Sequence, residues 1–159
     1  MPSLTWRQKP FDELTLEELY RILRLRQDVF ILEQRCIYHD LDDKDQLSHH
    51  LMVWEGGRLA AYTRLIPPGV SFPDAASIGR VVVAPEFRGK GLGELLMRRS
   101  LEGVIALFGR QTIRISAQQH LHDFYRWLGF EQTSEPYMDA GIPHIQMTYS
   151  AESAPGGSG

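Results

Sequence analysis

The hexapeptide Arg88-Gly89-Lys90-Gly91-Leu92-Gly93 constrains this chain more than any other stretch. It separates a β-branched run, Val81-Val82-Val83, from an amphipathic run, Leu95 to Phe108. The first reads as a buried strand and the second as a helix, so the glycines occupy a strand-to-helix turn. The N–H groups of a first helical turn lack backbone partners and stand at the positive end of the helix dipole, which together make an anion site. Glycine carries no Cβ to hold an anion away. Arg88 and Lys90 add positive charge, and arginine grips phosphate through two parallel bonds. The segment is therefore expected to bind a phosphorylated cofactor.

Two common phosphate loops do not fit. A dinucleotide fingerprint would put its third glycine at Glu94 or Leu96, and no acidic residue stands near Gln111, about 20 positions on. A P-loop would need Ser or Thr after Gly89-Lys90 and a glycine where Ala84 stands, but Gly91 follows instead. A turn needed only for its tightness is the plainer alternative, and the two flanking cations argue against it.

The segment resembles the R/Q-x-x-G-x-G/A pyrophosphate motif of the GNAT superfamily of N-acetyltransferases. Ile78 to Pro85 resembles the strand that precedes that motif. Phe124-Tyr125-Arg126-Trp127-Leu128-Gly129-Phe130 resembles the second signature of the superfamily, a helix carrying F-Y-x-x-x-G-F. The resemblance covers Ser3 to Ser150. Arg26 to Phe30, Glu33-Gln34, Tyr38-His39-Asp40, Asp42, His49-His50-Leu51 and Gly141 to Ile145 are similar to the ElaA-like branch.

The resemblance implies acetyl-CoA as cosubstrate and an amine as acceptor, either a small molecule or a peptide lysine or N-terminus, attacked directly in a ternary complex. The pyrophosphate is then expected on Arg88, Gly89, Lys90, Gly91, Leu92 and Gly93. Backbone N–H groups of Val81, Val82 and Val83 would hold the acyl arm. Many members carry Asn after the fifth strand, where this chain has Gln118-Gln119, and Gln118 is the candidate for that bond. Tyr125 would be the general acid for the leaving thiolate, its plainer role being a core tyrosine beside Phe124. An amine of lysine type, with a pKa of about 10.4, must lose a proton before it attacks. Glu33 and His144 are the candidate bases or substrate residues. The loop Tyr38 to Asp45 reads either as a solvated connection or as a binding surface for a cationic acceptor. From a different class, a non-catalytic module that binds acyl-CoA or a partner would use the same glycine loop.

Length and composition bound the rest. The chain has 159 residues, 43% hydrophobic and 23% charged, as expected for one globular domain over residues 1–150. A formal charge of −3, with no basic stripe, argues against nucleic acid. No apolar stretch is long enough for a bilayer span, and Met1 to Lys9 lacks a signal-type apolar region, so neither membrane nor export is expected. The single cysteine, Cys36, fits a reducing cytoplasm and reads as a plain buried residue. None of the six histidines stands in a metal-ligand spacing, so surface and capping roles are expected and no metal. Self-association into a homodimer stays open.

The expected fold class is α/β with a central mixed sheet flanked by helices, in the order β-α-β-β-β-α-β-α-β-β. Strands are expected at Leu4 to Arg7, His50 to Glu55, Leu59 to Ile66, Ser77 to Val83, Thr112 to Ser116, Glu131 to Tyr137 and His144 to Tyr149. Helices are expected from Thr15, with Glu18 completing a capping box, at Gly93 to Phe108 and at Leu121 to Trp127. Residues 151–159 read as a disordered tail. The residues leave the sheet topology open; the resemblance supplies it.

Overall fold

The fold is that of a computed structural model, described for residues 3–151; apart from Ala151, the expected tail lies outside the described residues. Strand β1 (Thr5–Pro10) leads into helix α1 (Leu16–Arg26). The capping box forms as read: Glu18 N–H donates to Thr15 Oγ1 at 3.0 Å, and Thr15 N–H donates to the Glu18 carboxylate at 2.9 Å. Lys9 and Arg7 of β1 donate to the same carboxylate at 2.9 and 3.2 Å, which ties the helix start to the first strand. Past Arg26 the helix widens into π turns over Gln27–Glu33. These end with Gln34 N–H on the Val29 carbonyl at 3.0 Å and Cys36 N–H on that of Ile31 at 3.1 Å.

Strands β2 (His49–Glu55), β3 (Arg58–Ile66) and β4 (Ser77–Val83) extend β1 into an antiparallel sheet of order β1-β2-β3-β4. Helix α2 (Leu92–Phe108) crosses this sheet. A Cβ on Gly103 would stand 2.9 Å from Leu65 Cδ1 and 2.7 Å from Gln8 Oε1, so glycine permits this approach of helix to sheet. Strand β5 (Thr112–Gln118), the short helix α3 (His122–Trp127), β6 (Glu131–Gln132), β7 (Tyr137–Asp139) and β8 (Ile142–Ser150) complete the fold. Strand β8 pairs antiparallel with β5 and with both β6 and β7.

The single strand expected over Glu131 to Tyr137 is therefore two. Pro136 has no N–H for a ladder. Ser134 leaves the ladder as well, its Oγ accepting from Gln146 N–H at 2.8 Å and donating to the Glu135 carbonyl at 3.0 Å.

The functional consequence of the topology lies between β4 and β5. They run parallel and touch at one bridge, Ala76 with Ile113, where Arg114 N–H donates to the Ala76 carbonyl at 3.0 Å. Beyond it they diverge, so the expected mixed sheet opens at its parallel step into two antiparallel sheets. Each strand becomes an edge with unpaired N–H and C=O groups facing the gap. The apolar core follows the same division. One cluster, with Ile22, Met52, Tyr62 and Leu96, lies under α1 and the first sheet; a second, with Met97, Ile113, Phe130, Ile145 and Met147, lies against the other.

Candidate active site

A cleft of about 120 Å³ occupies the gap between β4 and β5. Ile78 to Val81 form one wall and Ile115 to Gln118 the other. The π turns and the chain after them supply Phe30, Gln34, Cys36 and Tyr38, while β7 and β8 supply Asp139, Ile142 and His144. Tyr125 closes the inner side.

The β4 wall is irregular where Gly79 and Pro85 bracket it. Val82 stands opposite Tyr62 and Gly79 opposite Arg64, so Arg80 and Val81 together face the single residue Thr63. This is a β-bulge, which takes a peptide unit out of the ladder. Arg80 sits at φ 51°, left-handed for a residue that is not glycine. Val82 is buried core, and only its backbone can serve a ligand.

The glycine loop has the conformation its sequence requires. Gly89 and Gly91 stand at φ 81° and 79°, and Gly91 caps α2. The first bond within the helix is Leu95 N–H to the Gly91 carbonyl at 3.3 Å, so the N–H groups of Leu92, Gly93 and Glu94 precede it. Leu92 turns its side chain into the core, whereas Lys90 is exposed. Arg88 donates to the Val83 carbonyl at 3.0 Å and, in a two-bond pair, to Glu33 at 2.7 and 2.9 Å. Glu33 is thus the partner of Arg88, and those bonds hold its carboxyl below the usual range. A carboxylate held this way accepts a proton poorly, which turns the base role away from Glu33.

Tyr125 is a core residue, as in the plainer reading, and it also reaches the cleft. It is 5% exposed within the second core cluster, yet it lines the cleft. Its ring meets Phe124 and Phe130 edge-on at 5.2 and 5.7 Å, and its hydroxyl makes no hydrogen bond among the described residues. Burial pushes the phenol up to about 12. Phe124, its neighbour in the motif, lies against the start of α2, 3.9 Å from where a Gly93 Cβ would be.

His144 faces the cleft from β8. Its Nδ1 lies 2.7 Å from the Ile142 carbonyl. A carbonyl only accepts, so Nδ1 carries a proton, and in the neutral ring the lone pair is on Nε2. The ring stacks on Tyr137 at 6.2 Å, and the Tyr137 hydroxyl bonds Ser116 of β5. Tyr137 escaped the sequence reading; its sole signal is its position opposite His144 in a hairpin turned by Ala140-Gly141, both at positive φ. Gln118 donates to Gln34 at 3.3 Å, linking β5 to the chain after the π turns. Cys36 is buried as expected, in the cleft wall.

Apart from the exposed Asp43, the aspartates of the acidic loop form neither a solvated connection nor a free anionic surface. Arg26 donates to Asp40 and Asp45, each at 2.8 Å. Arg64 donates to both oxygens of Asp42 at 2.8 Å and to Asp45 at 3.0 Å. Arg80 donates to Asp40 at 2.8 Å and to Asp42 at 3.3 Å. Three arginines thus neutralise three aspartates, and Arg26 is fully buried. Burial alone would raise the Asp42 carboxyl, but the bonds and charge of Arg64 outweigh it and hold it down at about 2. His50, expected at the surface or in a cap, is fully buried between the Tyr62 hydroxyl at 2.6 Å and the Asp45 carbonyl at 2.9 Å. Among the described residues no three His, Cys, Asp or Glu side chains converge as metal ligands, and no helix is long and apolar enough to cross a membrane.

Comparison with known proteins agrees with this geometry. The family described as "Acetyltransferase (GNAT) domain" matches residues 15–151. A UPF0039 protein of Schizosaccharomyces pombe is 40% identical over 149 residues, covering 92% of this chain and 97% of that protein. Protein ElaA of Escherichia coli is 35% identical over 146 residues, covering 91% and 95%. Among solved structures, an acyl-CoA N-acyltransferase from Pseudomonas aeruginosa superposes with a TM-score of 0.89 at 43% identity, covering 93% of this chain and all of that one. E. coli ElaA superposes with a TM-score of 0.87 at 33% identity, covering 93% and 100%. The chain belongs to the GNAT acyltransferase superfamily, in its ElaA-like branch.

Proposed function

We propose that this chain moves the acetyl group of acetyl-CoA to a primary amine by direct attack in a ternary complex. The carrying observation is the opened parallel step, a cleft of two facing strand edges whose wall holds Tyr125 and whose β4 side leads to the glycine loop. A pantetheine arm bears amides, and an extended amide chain can pair with an exposed strand edge as an added strand does. The free N–H groups at the start of α2, with Lys90, suit the pyrophosphate. The bulged backbone at Arg80-Val81 suits a carbonyl oxygen that gains charge during attack. The compact cleft, walled by Phe30, Ile115 and Tyr125, favours a short acyl group.

In this reading Nε2 of His144 takes the proton of the incoming amine, directly or through water, while Tyr125 donates to the departing thiolate. Proton transfer from a phenol at about 12 to a thiolate whose acid has an ordinary pKa of about 8.5 is uphill. A thiolate leaving beside the same buried wall is raised by the same desolvation, which narrows that gap. With Asp40, Asp42 and Asp45 already paired with arginines and Asp43 alone of the loop's aspartates exposed, recognition of a polycation is not the acceptor class favoured here. A single free cysteine fits a cytoplasmic protein.

The test is thiol release from acetyl-CoA across a panel of small amines and peptides. Amine-dependent release with an acetylated product supports the reading, and tight acetyl-CoA binding with no transfer to any amine favours the sensing module. Gly91→Val should abolish coenzyme A binding in a calorimetric titration. A β-branched residue at φ 79° is strained, and the strand-to-helix turn must open to relieve it. The new side chain starts in open space, so the domain should still fold. Wild-type affinity in folded Gly91→Val would contradict the loop assignment.

A further inference from the structure

Arg80 is a left-handed arginine at a bulge where glycine would be free of strain, and its side chain is tied down at every donor group it uses. Its Nε donates to Asp40 Oδ1 at 2.8 Å, and its Nη2 to the Asp40 carbonyl at 3.0 Å and to Asp42 at 3.3 Å. Its guanidinium also stands 5.7 Å from the centre of the Tyr38 ring. Asp40 is shared with Arg26 at the end of α1, which donates to its Oδ2 at 2.8 Å and to its carbonyl at 2.9 Å. One aspartate therefore joins the end of α1, from which the π turns carry Phe30 into the cleft, to the bulge on the opposite wall.

We propose that Asp40 and Arg80 form a clamp that holds the β4 bulge in its cleft-facing conformation, making Arg80 a positioning residue for the acyl group rather than a contact to it. The proposal rests on the acyl-CoA reading of the cleft. Strain at an arginine with φ 51° persists only where surrounding bonds over-determine it, and here its charge-assisted bonds to two carboxylates do so. The peptide units that the clamp fixes are the ones freed from the β3 ladder opposite Thr63. Without the tether the bulge can migrate or flatten, and its N–H groups lose their aim at the acyl carbonyl. The glycine loop, set by α2, is untouched.

Arg80→Gly separates positioning from folding. Glycine adopts the left-handed conformation freely, and each carboxylate keeps another arginine, Arg26 for Asp40 and Arg64 for Asp42. The readouts are the affinities for acetyl-CoA and for 3′-phospho-ADP, which lacks the acyl arm, together with thiol release on the best amine of the panel. Arg80→Gly should keep wild-type affinity for 3′-phospho-ADP and lose about tenfold or more in transfer rate, as for a displaced oxyanion donor. Arg80→Lys should not restore the rate, because an ammonium cannot reproduce the planar fork. Wild-type turnover in either variant, or an equal loss of affinity for both ligands, would overturn the clamp. A wild-type chain that binds neither ligand would overturn the acyl-CoA reading itself, and the clamp's role with it.

Discussion

Tyr125→Phe is expected to keep the fold and the affinity for acetyl-CoA while turnover falls roughly 10²-fold, the low end for a lost general acid. The ring makes its edge-on contacts with Phe124 and Phe130 without help from the hydroxyl, which has no hydrogen-bond partner among the described residues. Removing one oxygen therefore leaves no orphaned partner and opens no cavity among packed side chains. What it removes is a donor that burial keeps protonated, with a pKa of about 12. The low end is expected because a thiolate is already a fair leaving group and transfer from so weak an acid is uphill. The comparison is kcat against KM for wild type and variant on one amine. A drop confined to kcat supports the assignment; unchanged kcat would reduce Tyr125 to a packing residue.

Arg26→Met should cost about 3 kcal/mol of stability at neutral pH, near the low end for breaking a buried ion pair. Arg26 is fully buried and donates to Asp40 and Asp45, so its loss leaves both carboxylates short of a counter-charge in a dry setting. Arg80 and Arg64 still hold them, which is why the low end applies. Adding Asp45→Asn should recover part of the loss, since it removes the stranded charge. The pH dependence has a definite sign. Asp42, held at about 2, is ionised in the folded chain where an unfolded carboxyl would already be protonated. Its contribution, about 2 kcal/mol, is complete above pH ~4 and lost as pH falls toward 2. His50, which burial holds below its ordinary pKa, acts in the same direction from about pH 6.5 downward. The gap between wild type and Arg26→Met should narrow in acid, because burial raises the Asp45 carboxyl and Arg26 and Arg64 outweigh it, so that Asp45 protonates more readily once Arg26 is gone. Urea melts at neutral pH and near pH 4 measure it, and equal stability of the two proteins at neutral pH would contradict the network's role.

What could be read from the residues depended on the range of the interaction. Thr15 and Glu18 are three residues apart, so their capping box is a local pattern. Gly89 and Gly91 stand where positive φ is needed, so the loop announced itself. Tyr125 was singled out by its motif and His144 by its place after Gly141-Ile142-Pro143 on the final strand, and both line the cleft. The aspartate–arginine network was not legible, because its pairs are between 14 and 40 residues apart and any of many arginines could answer any aspartate. Glu33 and Arg88, 55 residues apart, were for that reason read separately, as a candidate base or substrate residue and as a phosphate ligand. The bulge at Arg80 was hidden too: an arginine does not signal left-handed backbone, and only the tether to Asp40 and Asp42 explains it. The π turns over Gln27–Glu33 keep a helical apolar pattern, so their changed hydrogen bonding left no trace in spacing.

The most direct measurement is a crystal structure with coenzyme A bound. The pyrophosphate is expected over the N–H groups of the Arg88 to Gly93 loop, with the pantetheine arm lying between β4 and β5. The sulfur is expected within hydrogen-bonding reach of the Tyr125 hydroxyl. Coenzyme A bound outside the β4–β5 cleft, or with its sulfur turned away from Tyr125, would contradict the proposed function.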